Sequence, residues 1–98
     1  MKGIMIIFNQ ALSEEIVELL DELGVRGFSK FNDLQGRGSN DGEPRMGTHT
    51  WPALNNAIFS VAPEDKAKEL IIRLNKINED AREQGLKAFS WNVEEAVI

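Results

Sequence analysis

The chain of 98 residues has no cysteine, no tyrosine, one histidine and three prolines. Without cysteine there is no CxxC pair, and no Walker sequence, HExxH or Ser-His-Asp spacing occurs either, so catalysis has no positive support. One histidine cannot build a protein metal site within a single chain. No apolar run approaches the roughly 20 residues needed to cross a bilayer, and the apolar opening through Phe8 is too short and too abruptly ended for a signal peptide. These absences make cytoplasmic the expected location. Positive charge is also scarce: 11 Lys and Arg against 16 Asp and Glu leave a net charge of −5. Such a balance disfavours nucleic acid and anionic membrane as partners, because both require a basic face. Small ligands and proteins remain.

What is present fits one domain, residues 1–98, with 42% apolar and 28% charged residues. A core this modest is too thin to enclose a substrate pocket, which places function between subunits. The run from Gly3 to Phe8 reads as a central strand buried on both faces. Ser13 is the expected N-cap of a helix over 14–23, with Glu14 and Glu15 in its first turn and Leu12 and Val17 as a hydrophobic staple. Ile16, Leu19, Leu20 and Leu23 give that helix its apolar face, and Gly24 follows it as the residue suited to a left-handed cap. Phe28 to Leu34 predicts a second strand whose imperfect alternation calls for a bulge.

Residues 35–52 hold Gly36, Gly38, Gly42, Gly47, Pro44 and Pro52, too much punctuation for a regular element and unusually long for a loop in so small a domain. Glycines at 36, 38 and 42 would permit positive φ, letting successive N–H groups converge on an anion while Arg37 supplies charge. The same composition also suits a plain linker. A strand over 53–61 comes next, then Pro63 opening a second helix with the stripe Ala67, Leu70, Ile71, Leu74, Ile77 and Ala81, ended by Gly85. Leu86 to Val93 is the last strand.

The order β-α-β, long loop, β-α-β is that of an α+β, ferredoxin-like βαββαβ sandwich, a four-stranded antiparallel sheet with two helices on one face. Phe28, Phe59, Phe89 and Trp91 supply more bulky surface than two short helices cover, which predicts oligomerisation through the open sheet face.

Leu23-Gly24-Val25-Arg26-Gly27-Phe28-Ser29, followed by Gln35-Gly36-Arg37-Gly38-Ser39, resembles the first half of a PII nitrogen regulatory protein. The resemblance implies a homotrimer that binds adenine nucleotides in clefts between subunits. It also implies a sensory loop, here 36–51, that docks onto a partner such as a transporter or enzyme. Gly36 and Gly38 match the glycines beside the nucleotide phosphates, while Ser39 and Asn40 stand where an arginine and a glutamine are usual. The Thr-Gly-x-x-Gly-Asp-Gly-Lys loop of the family is replaced by residues 78–87, in which Gly85 and Lys87 can play related parts and Glu79, Asp80 and Glu83 carry the wrong sign for a triphosphate. With that phosphate-binding motif absent, the ligand stays unnamed between an adenine nucleotide and another small anion. No tyrosine is available for uridylylation.

The expected ligand-binding set is Gly36, Arg37, Gly38, Ser39, Asn40 and Lys87. His49 stays open between a solvated loop residue and, in a CutA-like divalent-metal-binding trimer, a ligand shared with Asp41 or Glu43 of a neighbour. Trp51 is expected to anchor the loop end, or to offer a stacking platform for a base. Asn55 and Asn56 are open between ligand donors and turn or edge hydrogen bonds.

Overall fold

The structure, a computed structural model, describes residues 1–98. Its elements in chain order are β1 (Lys2–Asn9), a 3-10 turn (Gln10–Leu12), α1 (Ser13–Glu22), β2 (Phe28–Leu34), β3 (Asn55–Ala62), α2 (Glu64–Asp80) and β4 (Leu86–Asn92). The strands form one antiparallel sheet in the order β2-β3-β1-β4. This is the ferredoxin-like arrangement, with α1 and α2 on one face.

Alternation along the strands decides which residues the helices cover. Ile4, Ile6 and Phe8 of β1 and Ile58 of β3 point to the helix side and are fully buried with Ile16 and Leu20 of α1 and Leu70 and Leu74 of α2. β1 is central, as expected, but buried on one face only: Met5 is half-buried and Ile7 exposed on the other. The continuous apolar run therefore reflects a second sheet face that the helices do not reach.

One local expectation, the cap of α1, is revised. The helical entry is capped by Asn9, whose Oδ1 accepts from the Ala11 N–H at 2.9 Å, and the 3-10 turn carries the chain into α1. Ser13 makes no cap; it begins α1, and its Oγ accepts from Asn56 Nδ2 at 3.4 Å. At the other end Gly24 has φ +75°, its N–H donates to Asp21, and the Val25 N–H donates to Leu20 at 2.8 Å. That reciprocal pair is a Schellman closure, which satisfies two carbonyls of the last turn and turns buried Val25 onto the core beside Leu20.

The bulge in β2 falls between Phe31 and Leu34, where Asp33 takes φ +60°. Buried Asn56 on β3 holds it, accepting from the Asp33 N–H at 3.2 Å and from Gln10 Nε2 at 3.1 Å. The register also corrects the open face. Phe28 pairs with Ser60 and so lies on the helix side, at the sheet edge, whereas Phe31 pairs with Ala57 on the open side. Met5, Ile7, Phe31, Phe59, Phe89 and Trp91 thus make up the uncovered apolar face. On it Trp91 lies across Gly3 and stacks on Phe59, with ring centroids 6.0 Å apart. Only a residue without Cβ fits beneath that ring, since a Cβ on Gly3 would stand 2.5 Å from Trp91 Cε2.

Candidate functional site

The long loop is two structures in series. Gly36 and Arg45 exchange backbone hydrogen bonds, N–H to carbonyl at 2.8 Å and 2.6 Å, and so pinch off residues 37–44 as a tip. Beyond the pinch, the N–H groups of Met46 and Thr48 both donate to the Trp51 carbonyl, and the Trp51 N–H donates to Thr48 Oγ1. Trp51 therefore folds residues 46–53 onto themselves through its backbone, while its side chain stays exposed.

Between this loop, the ends of β1 and β3, and the segment joining α2 to β4 lies a cleft of about 980 Å³. That is the upper end of the range for small-molecule sites, about 300–1,000 Å³. Two backbone bonds tie the end of β1 to the segments beside it, Asn9 N–H to Gly85 and Gln10 N–H to Leu54. Of the expected ligand residues, Gly36, Arg37, Gly38, Ser39 and Lys87 line the cleft and Asn40 does not. His49 lies outside it on the exposed fold of 46–53, and no three His, Asp or Glu side chains of the chain gather where they could share a metal ion.

The glycines work differently from the nest anticipated above. Positive φ occurs at Gly24, Gly47 and Gly85, not at Gly36, Gly38 or Gly42. The N–H of Gly36 is engaged by Arg45 and that of Gly42 by Ser39, so neither is offered to an anion. Charge is carried by side chains instead. Arg37, Arg45, Arg82 and Lys87 line the cleft against two carboxylates, Glu43 and Glu83, in a chain whose net charge is −5. A concave wall with that excess of cations attracts oxyanions, although the protein as a whole repels them. Glu79 and Asp80, expected to oppose a phosphate, do not line the cleft.

Arg45 is the one of these cations whose side chain is hydrogen-bonded within the chain. Its Nη1 donates to Asn55 Oδ1 at 3.1 Å and its Nη2 to the Gln84 carbonyl at 2.5 Å. The guanidinium rests on Gly85, where φ is +78° and a Cβ would approach Nη2 to 2.6 Å. Asn55 and Asn56 divide the two roles open to them: being neighbours on a strand they face opposite ways, Asn55 to the cleft and Asn56 to the bulge. Sequence reasoning missed Arg45, Arg82 and Asn78 as lining residues. Arg82 follows the apolar stripe of α2 closely enough to read as its solvated face, and no local signal marked Arg45, which enters through the backbone bridge to Gly36.

The fold is shared with solved structures of low identity. CPII, a nitrogen regulatory PII-like protein of Thiomonas intermedia K12, in a structure bound to ADP, AMP and bicarbonate, is 23% identical with a TM-score of 0.75, the match covering 92% of this chain and 82% of that one. The same protein bound to ADP and bicarbonate gives 23% identity and a TM-score of 0.71 over 96% and 88% of the two chains. A putative PII-like signaling protein of Thermus thermophilus matches at 22% identity and a TM-score of 0.66, over 94% and 84%. No curated protein matches the sequence. The family model for nitrogen regulatory protein P-II matches residues 1–98, and with its full span accounted for by that model the chain belongs to the P-II family.

Proposed function

We propose that this P-II family chain is a non-enzymatic, cytoplasmic regulatory sensor that takes a small phosphate-bearing ligand, an adenine nucleotide such as ADP or AMP, in the cleft between loop 36–45 and residues 82–87. The observation that carries the reading is the presence of Arg37, Arg45, Arg82 and Lys87 around one cleft of an acidic chain. A phosphate ester presents the dispersed negative charge that such a set of donors binds, with arginine able to engage two oxygens at once. CPII, which shares the fold, holds ADP, AMP and bicarbonate in its structures. In this chain the cations would replace the usual family motif: two come from the loop, Arg82 from the α2–β4 segment and Lys87 from β4.

The subunits associate as a trimer through the open apolar face, and the ligand lies at the subunit boundary. Ligand binding shifts the population of loop 36–51 between forms that differ in complementarity to a partner protein. Calorimetric titration of ADP, AMP and adenosine into the wild type and into Arg82→Gln/Lys87→Gln tests the ligand. The double variant should bind ADP at least about tenfold more weakly, as loss of charged hydrogen bonds of roughly 1.5–3 kcal/mol each implies. Absence of ADP binding by the wild type, or equal affinity in both proteins, would contradict the reading.

A further inference from the structure

We propose that Arg45 is the positioning residue that holds the loop tip 37–44 closed over the cleft while keeping donors free for an oxyanion, so that one side chain joins loop closure to ligand binding. Two separate observations meet at this residue. Its backbone makes both hydrogen bonds of the pinch with Gly36, which define the neck of the tip. Its side chain is seated by Asn55 Oδ1, the Gln84 carbonyl and the bare backbone of Gly85. The neck is thereby fastened to two other elements, the start of β3 and the turn before β4.

A two-residue bridge flanked by irregular chain is weak by itself, because closing the tip costs loop entropy that two half-buried hydrogen bonds barely offset. The seat supplies what the bridge lacks. Guanidinium carries five N–H donors, and the two bonds to Asn55 and Gln84 leave three unused on a group that lines the cleft. Because the seat already fixes the fork, an oxyanion meets a donor array that needs no further ordering. Both acceptors of the seat are neutral, an amide and a carbonyl, so the full positive charge of Arg45 remains available to the ligand.

Gly85 has a double requirement here. Its φ of +78° suits glycine, and any side chain would occupy the place of Arg45 Nη2. The seat can therefore be blocked without touching the arginine. The ligand part of this inference rests on the reading proposed above, but the latch itself is measurable with no ligand present.

The test is amide hydrogen exchange at Gly36 and Arg45 in the unliganded wild type, Arg45→Met, Gly85→Ala and Asn55→Ala, with ADP titrations on the same four proteins. Exchange at Ile4 and Ile6 of β1 reports whether each variant keeps its sheet. Where Gly85→Ala lowers that core protection, Asn55→Ala, which removes one acceptor and leaves every φ unchanged, supplies the decision. The expected result is faster exchange at Gly36 and Arg45, by at least about tenfold, in all three variants with β1 unchanged. ADP binding should weaken by about tenfold where the arginine is retained but unseated, the loss of roughly one charged hydrogen bond. Wild-type exchange rates at the neck in Arg45→Met, or wild-type rates in folded Gly85→Ala and Asn55→Ala, would overturn the latch. If the wild type binds no ADP, the nucleotide reading fails and exchange still decides the latch. Weakened ADP binding in Arg45→Met alone, with the seat variants unaffected, would show Arg45 acting as an unpositioned charge and would overturn the coupling.

Discussion

Replacing Gly3 by alanine should destabilise the protein through Trp91, a residue at the other end of the chain. The new methyl would stand 2.5 Å, 2.6 Å and 2.7 Å from Cε2, Cζ2 and Nε1 of Trp91, so the indole must leave its place across β1. Trp91 is already 42% exposed, and lifting it uncovers about 100 Å² of the roughly 150–250 Å² such a side chain buries. At ~25 cal/mol per Å² this costs about 2.5 kcal/mol. Losing the stack on Phe59 adds about 1 kcal/mol, and the preference of a strand for alanine over glycine returns about 0.5–1 kcal/mol. The net expectation is about 2.5–3 kcal/mol, a fall in Tm of roughly 10–24 °C for a domain of this size. Urea and thermal unfolding, followed by fluorescence in a Trp51→Phe background so that only Trp91 reports, would measure it. Both proteins must be compared at one concentration, since any assembly makes stability depend on it. An unchanged midpoint with an unchanged Trp91 spectrum would refute the argument that the ring requires a bare backbone beneath it.

Two other changes separate the roles of the sheet faces and strand ends. Asn56→Ala deprives the Asp33 N–H and Gln10 of their shared acceptor, so it should cost about 1–3 kcal/mol in urea unfolding and speed exchange of the Asp33 amide; a neutral effect would mean that the bulge holds without Asn56. Phe89→Glu places a charge on the open face at a residue 53% exposed in the single chain, so sedimentation equilibrium should show a smaller assembly while the helix-side core keeps its protection. An unchanged mass would remove this face from the subunit contact.

The elements were legible because the same residues that make each one also face its core. The stripe of α2 from Ala67 to Ile77 is buried or half-buried throughout, and Gly24 ends α1 in the left-handed region its lack of Cβ favours. Facing was harder to read. Phe28 and Phe31 stand three apart, so they occupy opposite sides of β2, but which one meets the helices depends on the pairing of Phe31 with Ala57, a fact of register and not of local pattern. Likewise an apolar β1 does not say that the helices cover only one of its faces.

The cleft divides along the same line. Gly36, Arg37, Gly38 and Ser39, contiguous in sequence, and Lys87 in β4 were named from the local pattern, and all five line the cleft. Arg45 was not, because its place is set by bonds to residues 9, 10 and 39 positions away, each made possible by a backbone or an acceptor that carries no pattern of its own. Glu79 and Asp80, the last residues of α2, misled for a related reason, whereas Glu83 lines the cleft as expected. The chain turns between Asp80 and Arg82, so Glu79 and Asp80 stay on the outside of the helix end while Arg82 and Lys87 come round to the cleft.

The most direct test of the central claim is a titration of ADP followed by backbone amide shifts of the wild-type protein. The account predicts saturable changes concentrated at residues 36–45 and 82–87, with the outer faces of α1 and α2 unaffected. Saturable binding whose shifts fall elsewhere, or no shift at ADP concentrations that fill ordinary nucleotide sites, would contradict it.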